Sequence, residues 1–205
     1  MQNRSTITNL LCVTQDLAET IDNNGKMDVI YTDMQKAFDT INHQLLLKKM
    51  SLLDFSDSLL ALVRSYLMNR QHCVRYCNCM SNSFVLTSGV PQGSNLGSLL
   101  FLTFINDLPA NVSCNKLLFA DDLKLYHRIY SVNDCLALQH NANVLSFWSR
   151  TNLLQINEPK CYVMSYTKQK CPVSYPYKIN DYTISRTDSF KDLGVIFDNL
   201  HLYHM

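Results

Sequence analysis

The sequence predicts an α+β fold, a mainly antiparallel sheet with helices packed on one face. Three observations predict it. Short β-prone runs are interspersed with longer stretches of helical periodicity along the 205 residues, the pattern of a sheet layered with helices. The run Leu117-Leu118-Phe119-Ala120-Asp121-Asp122-Leu123-Lys124-Leu125-Tyr126 sets two acidic residues between apolar segments of strand length, which reads as a β-hairpin with the aspartates at its tip. Residues 134–152 carry Cys135, Leu138, Ala142, Leu145 and Trp148 at steps of three and four, one apolar, core-facing side of a long helix.

The other elements follow in order. Ile7, Leu10, Leu11, Leu17, Ala18 and Ile21 recur at helical spacing, and Asn24-Gly25 ends that helix. Met27-Asp28-Val29-Ile30-Tyr31-Thr32 is a strand running up to Asp33. Residues 42–53 form a helix with Leu45, Leu46, Met50 and Leu53 on its apolar side. Residues 56–68 form another, capped at Ser56 or Asp57 and stopped near Asn69. Residues 72–77 and 83–87 pair as a hairpin around a loop at 78–82. A Gly-rich loop at 88–97 opens a helix at 98–108, closed by Pro109. Residues 161–167 and 177–184 are strands, the latter turning at Asn180-Asp181, and 190–197 is a last short strand.

Composition excludes several classes. The longest apolar run, 99–108, is broken by Thr103, Asn106 and Asp107 and falls short of the roughly 18 residues of a membrane span. The polar start carries no charged-then-apolar pattern, so secretion is not expected. Eight cysteines in a chain without an export signal read as reduced thiols. Cys73, Cys77 and Cys79 would share one face of a continuous strand, but paired Cys-x-x-Cys spacing is absent. Neither a Walker loop, a His-Glu-x-x-His segment nor a Gly-x-Ser-x-Gly segment occurs. A net charge of +1 is low for a complete nucleic-acid polymerase, whose duplex asks for a basic face.

The chemistry is in three segments. Adjacent carboxylates repel, and a turn tolerates Asp121 and Asp122 through hydration or through a divalent cation. Magnesium takes hard oxygen donors, typically one or two carboxylates together with substrate phosphates. If the strand ending at Asp33 lies beside the hairpin, Asp33 shares the same ions, and a pair about 4 Å apart clamps both oxygens of an in-line displacement. Taken singly, each aspartate reads equally as a solvated turn or a helix cap. The third segment, Ser88-Gly89-Val90-Pro91-Gln92-Gly93-Ser94, brings backbone N–H groups and a helix N-terminus near a nucleotide, although alone it reads as a turn before a helix.

Taken together, Asp33-x-x-Lys36-Ala37-Phe38-Asp39, the 88–94 loop and Phe119-Ala120-Asp121-Asp122 resemble a reverse transcriptase. The closer resemblance is to the polymerase of non-LTR (LINE-type, jockey-like) retrotransposons. The segment from Leu145 through Trp148, Asn152 and Asn157 to Lys160-Cys161 is similar to the family's fourth palm motif. Phe190-Lys191-Asp192-Leu193-Gly194-Val195 is similar to its primer-grip strand, and Arg4-Ser5-Thr6 to the tail of a fingers motif.

The resemblance implies a right-hand polymerase palm over 28–189, a fingers remnant over 1–27, and a primer-grip strand with the truncated start of a thumb over 190–205. It implies nucleotidyl transfer of dNTPs onto a DNA primer along an RNA template. Asp33, Asp121 and Asp122 would be the catalytic metal ligands for two Mg²⁺ ions, with Mn²⁺ a possible substitute, and Asp122 the weaker ligand. Phe38 would be the steric gate against the ribose 2′-OH, although outside its motif it reads as core. Ala37 would border the triphosphate, and Gln92 with Gly93 would touch the nucleotide and template base. Lys160 would approach the leaving pyrophosphate, or simply face water. Trp148 and Asn157 would be structural.

The chain departs from the family at Asn95, usually aliphatic, and at Ser98, usually proline. Missing fingers, thumb and endonuclease are expected on other parts of a polyprotein. Localisation is expected to be intracellular, nuclear for an active element and otherwise cytoplasmic. The alternative is an inactive, truncated remnant that at most binds nucleic acid or a partner. A viral RNA-copying palm usually has Gly where this chain has Ala120.

Overall fold

The computed structural model describes residues 5–199. Arg4 of the fingers motif and residues 200–205 of the expected thumb region lie outside them. The elements, in order, are α1 (Thr6–Asp22), β1 (Lys26–Thr32), α2 (His43–Leu52), α3 (Asp57–Leu67), β2 (Gln71–His72), β3 (Arg75–Tyr76), β4 (Cys79–Met80) and β5 (Phe84–Val85). They continue with α4 (Asn95–Ile105), α5 (Leu108–Asn111), β6 (Asn115–Phe119), β7 (Asp122–Arg128), α6 (Val132–Thr151) and β8 (Tyr162–Thr167). The last are β9 (Lys178–Ile179), β10 (Tyr182–Thr183), β11 (Ser185–Arg186), β12 (Ser189–Asp192) and β13 (Val195–Asp198). Among the described residues no helix is long and apolar enough to cross a membrane.

The chain forms two compact units. Among the described residues, one contains 5–34, 108–149 and 156–199, the other 35–107 and 150–155. In the first, a five-stranded sheet runs β11-β8-β1-β7-β6, antiparallel throughout except for the β11–β8 edge pair. Every residue of β1 is buried, as a central strand covered on both faces requires. Its odd residues Met27, Val29 and Tyr31 join Val13, Leu17 and Ile21 of α1, with Tyr126, Met164 and Tyr166, in one apolar cluster. That is the period-2 alternation of a strand meeting the 3.6-residue period of a helix. Burying side chains of this size stabilises by roughly 1.5–3 kcal/mol each relative to exposure.

The even face of β1 holds a charge. Asp28 is fully buried, and Lys26 Nζ lies 2.8 Å from its carboxylate. Tyr177 Oη donates to it at 2.9 Å and Ser165 Oγ at 2.5 Å, while Arg186 stands 3.7 Å away. A buried carboxylate persists because it is satisfied this completely.

Local chemistry explains several boundaries. Ser56, one of the two predicted caps, accepts from Leu59 N–H at 3.4 Å. Asn180 adopts φ 53° in the β9–β10 turn, as asparagine tolerates. Three expectations are corrected. The last strand is a hairpin, β12–β13, because Leu193 and Gly194 both take positive φ (48° and 91°), which a two-residue primed turn demands. The ribbon at 71–85 turns at Cys77-Asn78, with Cys77 at φ 52°, so pairing resumes at Cys79 and no open 78–82 loop exists. The three cysteines there therefore do not lie on one continuous strand. The helix after the Gly-rich loop starts at Asn95 and ends at Ile105, because Ser94 caps it.

All eight cysteines are free thiols. Burial pushes the thiols of Cys114 and Cys161 up to about 11, so both stay neutral.

Candidate active site

The β6–β7 hairpin closes on the pair Phe119↔Asp122, so Ala120 and Asp121 form its two-residue turn. The acidic pair is thus split: Asp121 ends the turn and Asp122 begins β7. This corrects the expectation of both aspartates at the tip. Ala120 takes φ 52°, a left-handed conformation that costs an L residue roughly 1–2 kcal/mol.

β1 brings Asp33 to the same end of the sheet. The β1–β7 ladder ends on the pair Thr32↔Leu123; Asp33 directly follows Thr32, Asp122 directly precedes Leu123, and the charge of Asp33 acts on the Asp122 carboxyl. Thr32 Oγ1 donates to the Leu123 carbonyl at 2.9 Å. The other side of Asp33 is also fixed: Met34 bridges to Ile156, and Asn157 N–H donates to the Asp33 carbonyl at 2.8 Å.

The electrostatics match this placement. Desolvation, then the charges of Asp121, Asp192 and Asp33, push the Asp122 carboxyl above its ordinary value, and Lys124 opposes them. Lys160 is the last residue of the short 3₁₀ turn Glu158–Lys160, and its Nζ lies 4.0 Å from Asp33 Oδ2. The pair is partly exposed, so it holds Lys160 only weakly.

Two site residues escaped sequence reading. Lys124 and Asp192 are buried together and ion-paired. With Tyr31, Thr32, Asp122 and Phe190 they line a small cavity of about 50 Å³. Phe190 stacks on Tyr31 at 4.1 Å. The available signal was the alternation of β7, which puts Lys124 on the face of Asp122 and Tyr126.

The second unit holds the other candidates. Ala37 is buried and Phe38 half-buried. The Phe38 ring stacks on Phe101 of α4 at 4.5 Å between centroids. Val90 N–H donates to the Phe38 carbonyl at 2.7 Å, and Gly89 N–H to that of Ile41 at 2.8 Å, tying the Gly-rich loop to the segment that carries Phe38. Gly89 has φ 88°, and a Cβ there would sit 2.7 Å from the Asp39 carbonyl oxygen, so only glycine fits. Ser94 Oγ accepts from Gly97 N–H at 2.9 Å and donates to the Pro91 carbonyl at 2.8 Å. Ser98 donates its N–H to the Ser94 carbonyl, so the position lies within the helix and not in the loop. Gln92 and Gly93 are exposed on the loop. Asp33, Asp121, Asp122 and Lys160 therefore belong to the first unit, and Ala37, Phe38, Gln92 and Gly93 to the second.

Among the described residues, no three His, Cys, Asp or Glu side chains form a ready-made metal cage. The donor set at the end of the sheet nevertheless fits a hard divalent ion, being carboxylate oxygen throughout. The raised Asp122 carboxyl is a charge problem that a cation relieves.

A mainly antiparallel sheet whose central strand and adjoining hairpin end in carboxylates is the palm of a polymerase. Solved structures of telomerase share this fold: that of Candida tropicalis has a TM-score of 0.58 at 10% identity, over 98% of this chain and 34% of that one. A Candida albicans telomerase gives 0.57 at 14% identity, over 91% of this chain and 32% of that one. Residues 1–197 match the family described as reverse transcriptase (RNA-dependent DNA polymerase), and the chain belongs to that family. It is 31% identical over 96% of its length to a probable RNA-directed DNA polymerase from transposon BS of Drosophila melanogaster. It is 32% identical over 82% of its length to the RNA-directed DNA polymerase from mobile element jockey of Drosophila funebris. The chain spans 23% and 19% of those two relatives, so the narrower resemblance to non-LTR elements holds over a portion of them.

Proposed function

We propose that the chain is the palm portion of an RNA-directed DNA polymerase that extends a DNA primer on an RNA template. The observation that supports this reading is that the β1–β7 ladder ends at Thr32↔Leu123, one residue before Asp33 and one after Asp122, at the end of the sheet where the Ala120-Asp121 turn lies. The primer 3′-hydroxyl gives up its proton to solvent as its oxygen bonds to the α-phosphorus of a dNTP, the bond from that phosphorus to the bridging oxygen breaks, and pyrophosphate leaves. Two magnesium ions, with manganese a substitute, would be held by Asp33, Asp121 and Asp122 and supply charge stabilisation at the attacking and leaving oxygens.

The chain's own residues do the rest. Asn157 and the β1–β7 register orient Asp33. Lys160 exchanges its loose pairing with Asp33 for the leaving pyrophosphate, which it stabilises and protonates. The Phe38 ring, braced by Phe101, presents an apolar surface to the sugar and excludes a 2′-OH. Gln92 both donates and accepts at the nucleotide and template base, and Ala37 and Gly93 allow close approach of the triphosphate. Nuclear action is part of the proposal for an active element.

The deciding experiment is primer extension on poly(rA)/oligo(dT) with Mg²⁺, comparing the chain with Asp121→Asn. Weak incorporation that falls to background in the variant supports the reading. Equal incorporation by the variant removes Asp121 from the chemistry.

A further inference from the structure

The ribbon β2 to β5 carries side chains that nucleotidyl transfer does not use. Of the five exposed thiols, three fall within seven residues of it, Cys73, Cys77 and Cys79. Cysteine is among the most buried residue types, and its reactivity more often than its packing explains where it is kept. The tip itself is a two-residue turn: Tyr76 pairs with Cys79, and Cys77-Asn78 closes the hairpin. Cys77 takes φ 52° there, a conformation that glycine or asparagine adopts at less cost. Strain held at an exposed position points to function.

Chain geometry decides which of the three thiols can meet. Consecutive Cα atoms are about 3.8 Å apart, so those of Cys77 and Cys79 stand at most about 7.6 Å apart. The bend of a tight turn shortens that path into the roughly 4.4–6.8 Å of a disulfide. Cys73 lies four residues before Cys77. Ser81 N–H donates to the Val74 carbonyl at 2.9 Å, which keeps that arm extended and sets Cys73 about 13 Å from Cys77. Among the described residues, no three His, Cys, Asp or Glu side chains gather around an ion. The pair is therefore a dithiol and not part of a four-ligand zinc centre.

The surroundings select the reaction partner. Residues 58–106 contain no Asp or Glu, yet they contain Arg64, Arg70 and Arg75, in a chain with 17 acidic residues and a net charge of +1. A cationic neighbourhood raises the local concentration of an anionic reactant. Cys12 offers the opposite case: it is also exposed, but Asp16 and Glu19 follow it on the next turns of α1. We infer that Cys77 and Cys79 form a reversible dithiol–disulfide pair that exchanges with an anionic low-molecular-weight disulfide. The Cys77 thiolate attacks one sulfur of the small disulfide, whose S–S bond breaks, and one small thiolate leaves. The Cys79 thiolate then attacks the Cys77 sulfur of the mixed disulfide and expels the second. The dithiol loses two electrons, the small disulfide gains them, and its two thiolates take up the two protons that the cysteines release. Exposed links of this kind are the readily reduced, regulatory ones.

The test is thiol mapping by mass spectrometry. The reduced chain is incubated with glutathione disulfide or with the cationic disulfide cystamine, quenched in acid, alkylated and cut with trypsin. Cleavage after Arg75 separates Cys73 from the pair. With glutathione disulfide, the peptide carrying Cys77 and Cys79 is expected to lose two hydrogens and take no alkyl group at either residue. Cys79→Ser is expected to stop at a glutathione adduct on Cys77. The preference for glutathione disulfide over cystamine, as a ratio of rates, is expected to be about tenfold higher at the tip than at Cys12. A wild-type tip that stays alkylated, stops at mixed disulfides or links to a second chain overturns the proposal, as does an equal ratio at Cys12. The wild-type chain carries the decisive readout, so a poorly folding variant does not blur it. No residue of the acidic site takes part, so failure of primer extension leaves this result untouched.

Discussion

Lys124 and Asp192 form a buried ion pair that joins β7 to β12 and lines one small cavity together with Asp122. Lys124 faces two demands there: it neutralises Asp192 and offsets the negative charge around Asp122. Breaking a buried pair by removing one partner leaves an uncompensated charge in low dielectric and costs about 3–5 kcal/mol. Lys124→Met or Asp192→Asn alone is therefore expected to lower unfolding free energy by about that amount. The double variant K124M/D192L should recover most of it, because paired apolar replacements of similar volume restore packing without stranding a charge. Urea denaturation of the three variants checks this, and a double variant no better than the singles would count against it.

Ala120 should accept glycine with a gain. Its φ of 52° is penalised by its own Cβ, whereas glycine adopts it freely. The relief of roughly 1–2 kcal/mol is partly cancelled by the greater freedom of glycine in the unfolded chain, leaving Ala120→Gly more stable by about 0.5–1 kcal/mol. A shift of the urea midpoint in the opposite direction would show that the turn is not strained.

Phe38→Ala separates gate from brace. Loss of the stack on Phe101 should lower stability by about 1–2 kcal/mol. Loss of the apolar barrier should independently reduce the preference for dNTPs over rNTPs by about ten- to a hundredfold. Incorporation ratios measured side by side read the second effect. Altered stability with unchanged sugar preference leaves Phe38 only its packing role.

What sequence revealed was what is settled locally. The helix at α6, the Ser56 cap and the Asn180 turn each depend on residues within a few positions of one another, so propensity and spacing expose them. The family motifs singled out the three aspartates, Phe38 and Gln92 as candidates. The misses have a common cause in distance along the chain. Lys124 meets Asp192 across 68 positions, and Asp28 meets Ser165 and Tyr177 across 137 and 149. No periodicity encodes such partners; only the register of β1 against β7 and β8 brings them together. The split of the last strand was missed for a different reason. Leu193 is a poor residue for positive φ, so Leu193-Gly194 does not read as a primed turn.

The start of α6 gives a pH prediction. Asp134, in the first turn, accepts from Tyr130 N–H at 3.0 Å, from Ser131 N–H at 2.8 Å and from Ser131 Oγ at 2.9 Å. These bonds to the charged form, the Tyr130 N–H first, hold its carboxyl below the ordinary value. The unfolded chain therefore takes up the proton at higher pH than the folded one. The stabilisation is fully present above the unfolded value of about 3.9 and is lost as pH falls through the lower folded value. Asp134→Ala removes these bonds to the two residues before α6 and should cost about 1 kcal/mol at pH 7. The difference between wild type and variant should narrow as unfolding is repeated at successively lower pH below about 3.9. A gap that stays constant down the acid limb would mean that Asp134 acts through packing and not through its charged hydrogen bonds.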